Sequence, residues 1–371
     1  MTAVLSTAKT AILYQPIDPA FFTLPMLIQL LPLGLLVLLS ACGGGSSETP
    51  APTSASPTPA PTVVTTPTPA VTIPTAAYAA GSAELGAWNV LQQARVLCGF
   101  GALRHNPLLD AAEKAHARYL TSVSVNTGES VLSHYETDRS NSFYTGYYPW
   151  DRAKFQGYGT QVAEILEATV WNYDVRNPPA FPTLQQRGEA SMLSLMTTVY
   201  HLSGAMYEGT DVGFGTDIQT VADGNNRREE YRFGSLNGYQ TERITLGRGR
   251  LATYPCEGSN NIPVSFVPAN ETPNPFPAMT RDSETLGPPI YLKVDTGQVL
   301  KLTAASLNAA GQEVTTSLLT QSNDPHQVID ANEAFAVPIK ALNPNTSYQV
   351  NLNGSIDGVP FSRSFTLRTG A

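Results

Sequence analysis

Apolar spacing predicts helices first and strands afterwards in the middle of the chain. Leu85, Trp88, Leu91, Ala94 and Leu97 recur at helical spacing, and Gly99 offers a stop. Asn106 is a good N-cap and Pro107 suits the first helical position. Leu108, Leu109, Ala112, Ala115, Tyr119 and Leu120 then form one apolar face. A short helix is predicted from Pro149 to near Gly157, another through Val162, Ile165, Leu166 and Val170, and a long one through Met192, Leu193, Met196, Val199 and Tyr200. Strands are expected at 212–216, 230–236 and 250–254, with the turn-rich ADGNN between the first two. This order predicts an α+β domain over 84–257.

Beyond Cys256 the period shortens. Alternating runs near 264–267, 290–294, 299–304, 314–319, 334–339, 348–352 and 361–367 predict strands, and seven of them in the segment 260–371 suit an all-β sandwich. The closing LNPNTSYQVNLNG and GVPFSRSFTLRTG resemble bacterial immunoglobulin-like or fibronectin type III-like modules, which implies a spacer or adhesion role.

The N-terminal fifth is different in kind. Of the first 83 residues only Lys9, Asp18 and Glu48 are charged. The apolar stretch 26–39, MLIQLLPLGLLVLL, is shorter than the ~20 residues of a membrane span and is interrupted by Pro32, so it suits a signal-peptide core. Leu39, Ser40, Ala41 and Cys42 follow it and resemble the bacterial lipoprotein signal. That resemblance implies removal of 1–41 and acylation of Cys42, anchoring the chain to a membrane; Gly43 after the cysteine resembles outer-membrane sorting. From Thr49 to Ala83 there is no charge and prolines recur, which makes 42–83 a tether, because such sequence cannot bury a core. The expected location is the bacterial cell envelope. With Cys42 taken by lipid, Cys98 and Cys256 remain, and export places them where disulfides persist, so they are expected to pair.

Charged residues make up 14% of the chain, against ~25% in an average soluble domain, and the formal net charge is -8. Nucleic acid is excluded as a partner, since phosphate binding needs clustered Lys and Arg.

A second resemblance rests on ordered pieces between Trp88 and Tyr254. They are Asn89, Arg95, Gly99, Leu103, Asn106, Leu109, Ala111, Ala112, His116, Ala117 and Tyr119; Ser133 and His134; Gly146, Tyr147, Asp151, Arg152, Ala153, Gly157 and Tyr158; Glu164; His201; and Val212, Gly213, Phe214 and Gly215. Together they resemble the CAP superfamily, the SCP-like proteins related to pathogenesis-related protein 1. The resemblance implies a three-layer α-β-α sandwich with a cleft holding two histidines and one or two acids. Carried over by position, the cleft histidines are His134 and His201, and Glu164 is the first acid. Thr198 stands where some members have the second acid; Glu136 or Glu189 are substitutes.

His134, Glu164 and His201 lie 30 and 37 residues apart, so only folding can unite them. Two neutral imidazoles and a carboxylate with an open position describe a divalent-metal site of the zinc type. Without metal, the same trio supplies a general base and an orienting acid. No GxSxG elbow is present, so a hydrolase here would use water. Three function classes stay open: capture of a metal, a small ligand or an envelope component; hydrolysis; and structural adhesion through the sandwich. His116, on the apolar helix, reads as a packed core histidine, and Tyr144, Tyr147, Tyr148 and Trp150 read as core or as a cleft wall for an apolar or sugar ligand.

Overall fold

The first helix, α1 (Ala83–Cys98), starts where Ser82 accepts a hydrogen bond from the Leu85 amide and ends at Gly99, whose φ of 81° only glycine adopts without strain. Trp88 and Leu91 are buried, while Leu97, expected on the same face, is 50% exposed. Helix α2 (Pro107–Thr127) is capped by the Asn106 side chain, which accepts from the Leu108 amide at 3.0 Å. Its buried face runs through Leu109, Ala112, Glu113, His116, Tyr119 and Leu120. Leu108, expected on the same face, is exposed.

The computed structural model describes residues 6–14, 72–159 and 161–371, and these form a mixed α+β structure with several sheets. The largest sheet has the order β2-β4-β5-β3-β1-β7. Its strands are β1 (Ser6–Tyr14), β2 (Arg104–His105), β3 (Gln161–Asp174), β4 (Asp211–Asp223), β5 (Asn226–Tyr239) and β7 (Glu271–Thr272). The apolar run 26–39, Cys42 and the tether up to residue 71 lie outside the described residues. Among the described residues no helix is long and apolar enough to cross a membrane.

Two sequence expectations are corrected. Val162, Ile165, Leu166 and Val170 belong to strand β3, paired along its length with β5 from Gln161↔Tyr239 to Asp174↔Asn226. Residues 162–168 are all buried, so both faces of the strand are apolar or interlocked and the two-residue alternation that marks a strand is missing. The single long helix expected through Met192 and Tyr200 is instead α4 (Leu184–Leu195) and α5 (Val199–Ala205). The break falls at Thr197 and Thr198, whose hydroxyls bond back to the carbonyls of Leu193 at 2.6 Å and Leu195 at 3.0 Å.

Helices cover both faces of the large sheet. On β4, Val212 and Phe214 enter a core with Trp88 and Leu91 of α1 and Met192 of α4. Gly213 and Gly215 face α2 so closely that a Cβ would fall 2.3 Å from the Asp110 amide and 2.2 Å from the Lys114 amide. The Val-Gly-Phe-Gly tetrapeptide therefore packs a helix on each side. On the α2 face, Leu109, Ala112, Val162 and Leu236 join Ala153 of α3 (Pro149–Phe155). Burying one such leucine contributes about 1.5–3 kcal/mol.

The C-terminal strands form two further four-stranded sheets. One is β10-β9-β13-β14, made of β9 (Leu300–Ala309), β10 (Gln312–Val314), β13 (Ser347–Ile356) and β14 (Val359–Arg368). The other is β11-β12-β8-β6, made of β6 (Ala252–Tyr254), β8 (Ile290–Lys293), β11 (Thr316–Thr320) and β12 (Glu333–Pro338). Leu292 and Ala336 of the second sheet pack against Val350 and Phe365 of the first, while Tyr291 and Phe335 turn the other way and join the core of α1 and α5. The second sheet is thus buried on both faces and shared by the two halves. Strand β6, read as the end of the first domain, pairs with β8. The run 264–267 supplies only an isolated bridge, Phe266 to Leu286.

Cys98 and Cys256 are joined in a disulfide spanning 158 residues, tying the end of α1 to the segment after β6. The tail of the composition-defined tether is docked: the Tyr78 hydroxyl donates to Asp110 at 2.8 Å and its ring lies 4.3 Å from that of His105.

Candidate functional site

Strand β3 supplies Glu164 on the same face as Val162 and Leu166, beneath α2. The loop after α2 brings His134 to it, and the His134 Nδ1 lies 2.6 Å from Glu164 Oε2. The other oxygen of Glu164 is held by the Arg152 guanidinium from α3. Arg152 also donates to the carbonyls of His134 at 2.9 Å and Tyr147 at 3.4 Å, so one side chain fixes both the carboxylate and the loop. His134 is 6% exposed and Glu164 and Arg152 are fully buried.

Helix α2 completes the cluster with Glu113 and His116, one turn apart. His116 Nε2 donates to the Ser133 carbonyl at 2.9 Å, and its Nδ1 meets Glu136 Oε1 at 3.0 Å. Glu136 in turn accepts the amides of Thr145 at 2.7 Å and Gly146 at 3.2 Å. Glu113 sits above Gly234 of β5, where a Cβ would overlap its carboxyl oxygen; only glycine leaves that space.

Burial alone would raise the Glu164 carboxyl, but Arg152, His116 and the hydrogen bond from His134 hold it well below the usual carboxylate range. Glu113 moves the opposite way: burial, reinforced by the neighbouring Glu164 charge, pushes it well up. Burial lowers His134 against the pull of Glu164. The ring is therefore neutral at pH 7, with Nδ1–H donating to Glu164 and a lone pair on Nε2. That Nε2 is buried and has no hydrogen-bond partner.

His201 does not join this cluster. It lies on α5, which packs in the core on the Ile165 face of β3, opposite Glu164. Its Nδ1 lies 2.9 Å from both Thr198 Oγ1 and Glu271 Oε1. The same Glu271 carboxylate caps α5, accepting from the amides of Val199 at 3.0 Å and Tyr200 at 2.6 Å. The expected trio of His134, Glu164 and His201 is therefore split into a His134–Glu164 pair and a separate His201–Glu271 pair.

A divalent-metal centre built from that trio does not fit this arrangement. Both Glu164 oxygens and the Nδ1 of each histidine are committed, and the two free Nε2 atoms belong to histidines on opposite faces of β3. Among the described residues no group of three or more His, Cys, Asp or Glu side chains is arranged to hold a metal ion.

Glu189, on α4, takes a hydrogen bond from Gln185 at 2.8 Å and has no part in the cluster, whereas Glu136 does. Glu113, Arg152 and Glu271 were not singled out as site residues from the sequence. Glu113 had a signal, since it falls on the buried face of α2 between Ala112 and His116. Glu271 had none, lying in a Pro-rich stretch far from α5 in sequence.

Above the cluster, the loop presents an aromatic face. Tyr135 and Tyr147 stack at 5.2 Å, Tyr147 and Tyr148 meet edge-on at 4.6 Å, and Tyr148 stacks on Trp150 at 4.5 Å. Tyr135 and Tyr148 are 37% and 38% exposed. No protein-family model and no curated protein matches the chain.

Proposed function

We propose that this is an exported protein of the bacterial cell envelope, anchored through a lipid on Cys42, in which a CAP-type three-layer α-β-α sandwich acts as a binding module and an immunoglobulin-like β-sandwich acts as spacer. The observation that supports it best is the Tyr135, Tyr147, Tyr148 and Trp150 face. It stands on a loop locked from below by Arg152, His134 and Glu136. Half-exposed rings held in fixed planes suit the C–H faces of sugar rings or an apolar ligand of the envelope. The buried cluster then acts as the rigid support of that face.

A hydrolytic reading has one observation in its favour. His134 is oriented by Glu164 and keeps a free Nε2, the arrangement of a general base with its orienting acid. Water would have to reach a ring that is 6% exposed.

The test uses the full chain and isolated cell-wall sacculi. Cys42→Ser should abolish lipid labelling in cells and leave residues 1–41 attached to the chain. Wild-type protein should co-sediment with sacculi, and Tyr135→Ala with Tyr148→Ala should weaken that binding about tenfold or more, a loss of ~1.4 kcal/mol, without unfolding the protein. Undiminished co-sedimentation of the double variant would rule the aromatic face out. Release of soluble fragments from the sacculi, abolished by Glu164→Gln, would establish hydrolysis instead.

A further inference from the structure

Residues 72–82 lead from the tether into α1 and are latched to the body at two points. The Ala77 amide donates to His105 Nδ1 at 3.1 Å, and the Tyr78 hydroxyl donates to Asp110 Oδ1 at 2.8 Å. The Tyr78 ring lies 4.3 Å from that of His105 and 6.0 Å from both Trp88 and Phe214. Ala77, Ala79 and Ala80 are exposed, and the segment packs against the core through Ala76 and Tyr78.

These contacts fix the protonation of His105. A backbone amide can only donate, so Nδ1 carries a lone pair and the proton sits on Nε2, 2.5 Å from Asp110 Oδ2. Asp110 also accepts from Tyr78 and, at 2.8 Å, from the Phe214 amide, a set of three donors that suits an ionised carboxylate. Burial raises that carboxyl, and the same three donors pull it back. A second proton on the ring has one place to go, Nδ1, where it turns the acceptor into a donor facing the Ala77 N–H. The Ala77 bond is then lost while the attraction of the imidazolium for Asp110 grows. The other titratable groups facing the latch have partners of their own. Glu84 of α1 accepts from Thr216 Oγ1 at 2.7 Å, and Arg104 of β2 is paired with Asp211 of β4 at 3.0 Å. Burial and the Asp110 charge push the Tyr78 hydroxyl far up, so it stays a donor.

We propose that His105 is the catch of a pH-sensitive latch at the base of the tether: its neutral ring holds residues 72–82 against the body, and its protonation lets them go. Imidazole is the side chain that ordinarily changes charge between about pH 5 and pH 8. The docked segment prefers the neutral ring, so docking is present at the upper end of that window and is lost as pH falls. Release lengthens the tether by about 30 Å in extended form. The latch operates whether or not Cys42 carries a lipid, and independently of the aromatic face.

Two measurements on the full chain test it. Amide exchange of residues 76–80, corrected for the intrinsic effect of pH, reads docking, and NMR of the His105 ring reads its protonation. Protection of 76–80 should fall about tenfold between about pH 8 and pH 5, following the titration of the ring, while β5 stays protected. Ala77→Pro removes the facing N–H and should raise the midpoint of the ring by about one pH unit, since a tenfold coupling must act equally in both directions. Protection that is the same at both ends of the window would overturn the proposal, and so would a midpoint unmoved by Ala77→Pro. Loss of protection that follows a different titration from that of the ring would assign the release to Asp110, and loss shared by β5 would make it global unfolding; either result also removes His105 as the catch.

Discussion

His134 and His201 use the same ring nitrogen on the same kind of partner, a buried glutamate, at 2.6 and 2.9 Å. Both leave Nε2 buried without a partner. They differ in what balances the carboxylate. Glu164 faces the Arg152 guanidinium, so its charge is met by a side chain that also holds a loop. Glu271 faces the first amides of α5, so its charge is met by backbone dipoles. One pair builds a surface and the other joins two chain segments 70 residues apart.

The comparison breaks most severely at Arg152. Arg152→Ala leaves Glu164 and Glu136 buried without their cation, a loss of about 3–5 kcal/mol by urea unfolding. Arg152→Lys should recover only part of it, because one ammonium cannot span Glu164 and two carbonyls. Amide exchange should accelerate in the loop from Ser133 to Tyr148 while α5 stays protected. Equal acceleration at α5 would show that the two pairs form one cooperative unit.

Glu167 sharpens the contrast, being a buried carboxylate of β3 with hydroxyl partners on Thr169 and Ser191 and, among the described residues, no cation. Burial pushes it up to about 7. The folded state therefore binds a proton that the unfolded state releases near pH 4.5, and stability falls as pH rises between those values. By pH 8 this amounts to roughly 3 kcal/mol. Glu167→Gln should remove that part of the pH dependence and leave the protein more stable than wild type at pH 8 but not at pH 4. Glu164→Gln should not imitate it, since Glu164 is held low and contributes stability that is lost as pH falls.

How much of this could be read from the sequence follows the range of the forces involved. Caps such as Asn106 and Gly99 and the buried face of α2 are local, and they stand where the pattern put them. The Cys98–Cys256 bond joins the two thiols that the expectation of export had left to pair. Strand β3 was misread because its neighbours on both faces, not its own period, decide its conformation. His134 and Glu164 meet as the resemblance implied. Nothing within ten residues of His201 announces Glu271, and the cation that neutralises Glu164 is Arg152 of α3, which carried the resemblance without a role in the site.

Thr198 offers the smallest and most selective perturbation. It stands where the resemblance puts a second acid, and its hydroxyl bonds both the Leu195 carbonyl at 3.0 Å and His201 Nδ1 at 2.9 Å. Thr198→Val keeps the shape and removes both bonds. His201 retains Glu271, so the cost should be about 1 kcal/mol, that of one net hydrogen bond. If the two histidines are energetically separate, the imidazole resonances of His201 should move in NMR spectra while those of His134 and its titration stay where they are. A coupled shift at His134 would mean that β3 transmits strain between its faces, and that the two pairs answer to a common ligand after all.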